Sequence, residues 1–137
     1  MDTGTTQDRL AAVPLFSSVS AESLTQLAEI ATSVDTTPGQ VLIQQGAAGS
    51  GLFLIEEGTV VVERPGRDEI ELGPGQFFGE LALLTDQGVR VARVRARTAG
   101  RCVAVPRAAF VELLHREPSI AVSLLSAIAE RLAATSA

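Results

Sequence analysis

Glu80 and Arg90 are the two residues whose types and spacing could do chemistry, standing on either side of the polar loop Thr85-Asp86-Gln87-Gly88. Gly79 ahead of the glutamate permits close backbone approach, and residues 80–84 suffice for one short helical turn whose early amides point outward unpaired. Such amides bind anions. Arg90 shares the parity of Ala92, Val94 and Ala96, so a strand that begins there starts its guanidinium on the inward side of a sheet. An inward arginine needs an acidic partner or an anionic ligand to offset its dehydration. Two arrangements meet that need. Glu80 and Arg90 can pair with each other or reach solvent at a sheet edge. Alternatively, Arg90 and the turn amides hold a phosphate while Glu80 accepts hydrogen bonds from hydroxyls of the same ligand. A carboxylate repels a phosphate directly, so such a ligand must keep its anion and its hydroxyls apart. Ribose phosphates do that.

The elements that must position these residues follow from the punctuation of the chain. Eleven of the twelve glycines fall between Gly39 and Gly100, which places turns in the middle and helices at the ends. Leu10 to Phe16 reads as a short helix, over about 9–13, closed by Pro14. Ser20 is an N-cap for a helix over about 21–32, with Val19 and Leu24 spaced as a hydrophobic staple. From Gln40 the pattern changes to short apolar segments at 41–43, 52–55, 60–62 and 70–72, separated by glycine-bearing turns, which reads as antiparallel strands. Further strands run over about 91–96 and 101–105. In the former, Arg93, Arg95 and Arg97 face water while Ala92, Val94 and Ala96 face the core. Helices over about 107–115 and 118–134 close the chain, the second with Ile120, Leu124, Ile128 and Leu132 at four-residue intervals.

Composition bounds the function. The 137 residues, 46% hydrophobic, make one domain with a core that needs neither disulfide nor metal. Sixteen acidic residues against eleven basic ones give a formal charge of -5, unfavourable for nonspecific grip on a phosphate backbone. With one cysteine and one histidine there is no conventional zinc set, although counting does not exclude an all-carboxylate magnesium or calcium site. No stretch has the apolar length of a signal peptide or a membrane span, so the expected compartment is the cytoplasm. His115 reads as a helix-end cation, Cys102 as a small buried hydrophobe, and Phe77 and Phe78 as barrel packing. The arginines at 93, 95 and 97 form a basic stripe, read as a solvated outer face or as a docking surface for an acidic partner. Nothing resembles a nucleophile elbow or a catalytic triad, and the chain is expected not to be an enzyme.

In order along the chain, Val13-Pro14-Leu15-Phe16, Gly39-Gln40-Val41-Leu42-Ile43-Gln44-Gln45-Gly46, Leu52-Phe53-Leu54-Ile55-Glu56-Glu57-Gly58, and Phe78-Gly79-Glu80-Leu81-Ala82-Leu83-Leu84 with Arg90 and Ala92 form an ordered set. That set resembles the cyclic-nucleotide-binding domains of catabolite-activator-type regulators, kinase regulatory subunits and gated channels. The resemblance implies a mainly β fold, a jelly-roll barrel of about eight antiparallel strands (a double-stranded β-helix) with terminal helices and a phosphate-binding cassette. It also implies that Glu80 holds the ribose 2'-hydroxyl, that Arg90 pairs with the cyclic phosphate, and that backbone groups at Leu81 and Ala82 help cradle the ligand. The candidate ligand-binding positions are therefore Gly79, Glu80, Leu81, Ala82, Arg90, Val91 and Ala92, with no catalytic residue and no metal. Val89 replaces a proline frequent before the arginine, and Val91 stands where many members carry alanine or a hydroxyl residue.

What this implies for function is a sensor of cyclic AMP, with cyclic GMP the other cyclic ligand, whose terminal helices rearrange to signal to a separate effector protein. The stripe of the last helix must cover the strand domain, a second copy, or both, and in the second case a homodimer forms through Leu124, Leu125, Ile128 and Leu132; direct DNA binding is not expected. Two alternatives stay open: a degenerate fold acting as an interaction module without nucleotide, and a sensor that is one part of a longer polypeptide.

Overall fold

Eight antiparallel strands form two four-stranded sheets in a computed structural model that describes residues 10–11, 13–43, 51–79 and 93–136, with the backbone alone at 132 and 134–136. The strands are β1 (Thr32–Thr36), β2 (Val41–Ile43), β3 (Gly51–Glu57), β4 (Val60–Glu63), β5 (Ile70–Leu72), β6 (Phe77–Phe78), β7 (Arg93–Ala96) and β8 (Gly100–Pro106). One sheet runs β1-β8-β3-β6 and the other β2-β7-β4-β5. Consecutive strands alternate between the two sheets except at the paired strands β4 and β5, which is the pattern of a jelly-roll. The expected fold is the observed one.

Strand parity decides what each face meets. In β3, Leu52 and Leu54 join Val103 and Val105 of β8 and Phe77 of β6 on the face that packs against the helices. The intervening residues Phe53, Ile55, Phe78 and Cys102 face the other sheet, where they meet Ile43, Val60, Leu72 and Val94. Each such side chain taken fully out of water contributes about 1.5–3 kcal/mol. A register shift between Ile55 and Glu57 opposite Cys102 and Arg101 bends the end of β3.

The helices cover the first sheet. A 3-10 turn (Pro14–Phe16) precedes α1 (Ala21–Ile30), and α2 (Arg107–Arg116) and α3 (Ser119–Ser136) follow β8. The Ser20 hydroxyl accepts from the Ser23 amide at 3.2 Å, as expected of an N-cap, and Val19 and Leu24 are both buried. The helix is shorter than expected: it ends at Ile30, not 32, because Thr32–Thr36 is drawn into pairing with β8. Between Leu10 and Phe16, Leu10 and Ala11 are helical and Pro14–Phe16 makes the 3-10 turn.

Glu117, at the junction of α2 and α3, ties the two ends of the chain together. Its carboxylate accepts from the Ser20 amide at 3.2 Å and from the Ser20 hydroxyl at 2.7 Å, and the hydroxyls of Ser18 and Ser119 lie 3.1 Å apart beside it. Ser23 and then Ser20 hold this carboxyl below its ordinary value of 4.5. A depressed carboxylate stabilises the fold above its unfolded-state pKa, and that contribution is lost as pH falls through the folded-state value. The wild type should therefore exceed Glu117→Gln in urea midpoint near neutrality, with the gap closing as pH falls below 4.5. A gap constant across that range would show that the clamp does not depend on charge.

The outer face of the second sheet corrects one reading of the arginine stripe. Val94 and Ala96 are buried as expected, but the arginines are engaged by acids from β4 and β5 and from the turn before β5. Arg93 Nε meets Glu63 at 2.7 Å, Arg95 lies between Glu63 at 3.3 Å and Glu69 at 3.8 Å, and Arg97 Nε reaches Glu71 at 2.8 Å. The hydrogen bonds from Arg93 and Arg95 keep the Glu63 carboxyl below its usual range. Val61, fully buried in this sheet, stands opposite Arg95 on one side and Glu71 on the other. The acidic partner of the stripe is the protein's own sheet.

Candidate functional site: the entry to the 79–92 segment

The segment expected to carry chemistry leaves one sheet and returns in the other. β6 is the outer strand of the first sheet, and β7 is an inner strand of the second. Of the candidate ligand positions, Gly79 is described, and Glu80, Leu81, Ala82, Arg90, Val91 and Ala92 lie outside the described residues, as does the short helical turn expected at 80–84. Gly79 has φ +94°, a conformation that side-chain-bearing residues rarely adopt, so glycine is required to turn the chain out of β6.

Immediately before that turn, the two phenylalanines go to opposite faces. Phe78 pairs with Phe53 across the strands, the rings stacked with centroids 5.0 Å apart and planes 2° from parallel. This stack lies among the residues between the sheets. Phe77 pairs with Leu54 and packs among the helices. Both are buried packing residues, as expected.

Cys102, between the sheets, is fully buried. Burial, and after it the negative charge of Glu56, pushes its thiol up to about 11. It is a neutral thiol near neutral pH, without the thiolate a nucleophile or metal ligand requires. His115 sits in the last turn of α2, as expected, and is exposed. Among the described residues no cluster of His, Cys, Asp and Glu could hold a metal ion, and no helix is long and apolar enough to cross a membrane.

α3 commits part of the named dimer seam to the domain itself. Leu124 is buried in the molecule's own core, and Ile128 packs against it. Leu125 is 66% exposed, as is Val122, while the Leu132 side chain lies outside the described residues. The four-residue repeat marks the stripe that meets the domain. Beside α3 an open groove of about 760 Å³ runs between the helix, the 3-10 turn and the β5–β6 connection, with Phe77 and Arg131 among its lining residues. Arg131 was missed from the sequence as a residue near the site. The available signal was that it is the one lysine or arginine between Ser119 and Ser136.

Residues 34–117 match the family described as the cyclic nucleotide-binding domain, over more than half of the chain. The chain belongs to that family. A cyclic nucleotide-gated potassium channel of Mesorhizobium japonicum is 35% identical over 129 residues, covering 93% of this chain and 36% of the channel. Two solved structures place the cyclic nucleotide-binding domain among regulators. The catabolite activator protein of Thermus thermophilus superposes with a TM-score of 0.72 at 31% identity, over 87% of this chain and 58% of that one. The regulatory subunit of a cAMP-independent protein kinase A from Trypanosoma cruzi, bound to guanosine, superposes with a TM-score of 0.77 at 31% identity, over 88% of this chain and 43% of that one. The chain spans about a third or less of the length of the first curated relatives it matches.

Proposed function

We propose that this cyclic nucleotide-binding domain is a non-catalytic sensor of cyclic AMP that signals to an effector protein through its terminal helices. The observation that carries the reading is the ordered run Phe78-Gly79-Glu80-Leu81-Ala82 with Arg90 ten residues after the glutamate, entered through a left-handed glycine at the end of β6. In this reading Arg90 neutralises the cyclic phosphate, Glu80 accepts from the ribose 2'-hydroxyl, and the backbone at Leu81 and Ala82 closes around the phosphate. Val91 and Ala92 line the same pocket without polar side chains, so the base is selected elsewhere. The domain works in the cytoplasm, needs no metal, does not bind DNA directly and folds as one unit. Because Leu124 is committed to the core, a second copy would meet α3 through Val122 and Leu125.

A second reading has one observation in its favour. The Trypanosoma cruzi relative is a cAMP-independent regulatory subunit bound to guanosine, so a cassette of this kind need not take a cyclic phosphate. Calorimetric titration of nucleotide-stripped protein with cyclic AMP, cyclic GMP, AMP and guanosine separates the possibilities. Micromolar or tighter binding of cyclic AMP, ahead of AMP and guanosine, is expected. Preference for guanosine would move the function to a nucleoside sensor. Silence with all four, matched by unmoved melting temperatures, would leave an interaction module.

A further inference from the structure

The single cation of α3 is turned onto β6. Arg131 Nη2 donates to the Phe77 carbonyl oxygen at 2.8 Å, and its guanidinium carbon lies 5.0 Å from the centroid of the Phe77 ring. Two features make this contact more than surface decoration. The first is that β6 is a two-residue edge strand whose bonding to β3, continued by the Ile55 amide donating to the Gln76 carbonyl at 2.9 Å, lies on one side only, so its outward carbonyls need partners. The second is position: Phe77 stands two residues before Gly79, where the chain turns into the segment carrying Glu80 and Arg90. The start of α3 is already held by the Glu117 and Ser119 contacts to Ser20 and Ser18. Arg131 holds a point more than three helical turns further on.

We propose that Arg131 is a positioning residue that fixes β6, and with it the mouth of the ligand segment, to α3, so that the placement of the helix and the shape of the site are coupled through one side chain. The guanidinium suits the task because it donates to the carbonyl while lying against the ring. The proposal rests on residues 79–92 being the ligand segment, and its test is arranged so that the two can fail separately.

The test compares wild type, Arg131→Gln, Arg131→Lys and the neighbouring control Glu130→Gln by amide hydrogen exchange and by cyclic AMP titration. In Arg131→Gln, exchange of residues 76–79 is expected to rise at least threefold relative to β3 and β8, and cyclic AMP affinity to fall about fivefold, the lower end of typical coupling between sites. Arg131→Lys should lie between, since an ammonium donates to the carbonyl but does not lie flat on the ring. Glu130→Gln should match the wild type. Unchanged exchange at 76–79 overturns the proposal, and so does acceleration spread evenly over β3 and β8, which would mark general loosening. Faster local exchange with unchanged affinity overturns the coupling. If the wild type binds no cyclic AMP, the ligand reading fails on that arm alone, and the exchange comparison still decides whether Arg131 fixes β6.

Discussion

Replacement of Arg90 by alanine should weaken cyclic AMP binding by well over tenfold while leaving the melting temperature of the unliganded protein within about 2 °C. A charge-assisted contact to phosphate is worth about 1.5–3 kcal/mol, or roughly 10- to 150-fold in affinity, before any penalty for leaving the phosphate buried without its cation. Lysine at this position should recover part of the loss, since it supplies the charge without the two-pronged geometry. Calorimetry on both variants, with thermal unfolding as the control for folding, provides the comparison. An alanine variant that binds as the wild type does would remove the phosphate from Arg90. A variant that loses stability to the same extent as affinity would instead make Arg90 a structural ion-pair partner, with Glu80 the first residue to examine.

Gly100→Ala should be among the most destabilising small substitutions in the protein. A Cβ built there would stand 2.1 Å from the Glu57 carbonyl oxygen and 2.9 Å from the Gly58 Cα. The obstacle is backbone, which cannot swing aside as a side-chain tip can. β8 must therefore separate from the end of β3, and the loss should be about 3 kcal/mol, at the upper end of ordinary overpacking. For a domain of this size that corresponds to a fall in melting temperature of roughly 10 °C. Gly73→Ala is the matched control: its Cβ would meet the Thr59 methyl at 3.9 Å, an ordinary contact. Equal melting temperatures for the two variants would show that β3 and β8 can part at Gly100 without cost.

The glycines that made the strands legible are the same ones that now carry these arguments. β2 to β5 and β8 stand where apolar segments between turns predicted them, because each is bounded by residues that can reverse the chain. β1 was not legible: Thr32–Thr36 is polar and largely exposed, with Thr36 its one buried residue, and it is a strand because β8 offers an edge to pair with. β6 was missed because two residues are too few for any periodicity. The stripe on α3 was visible, but a repeat of four says that something covers it and not what; at Leu124 it is the molecule's own core. Charge, parity and spacing single out Glu80 and Arg90 for the proposed site, and both lie outside the described residues. Arg131 was not legible, since its partners are a carbonyl and a ring and neither leaves a pattern in sequence.

The ladder of ion pairs on the second sheet bears on how an anion would reach the protein. With Arg93, Arg95 and Arg97 each paired with Glu63, Glu69 or Glu71 and a formal charge of -5 on the whole chain, the arginine stripe adds little net positive charge to its face. A cyclic nucleotide would approach against a mildly repulsive potential and feel attraction only within a few ångströms of its site. Its capture rate should then rise with ionic strength, the reverse of a guided encounter. Selectivity in such a molecule rests on residence time, which short-range contacts at the mouth of the ligand segment govern.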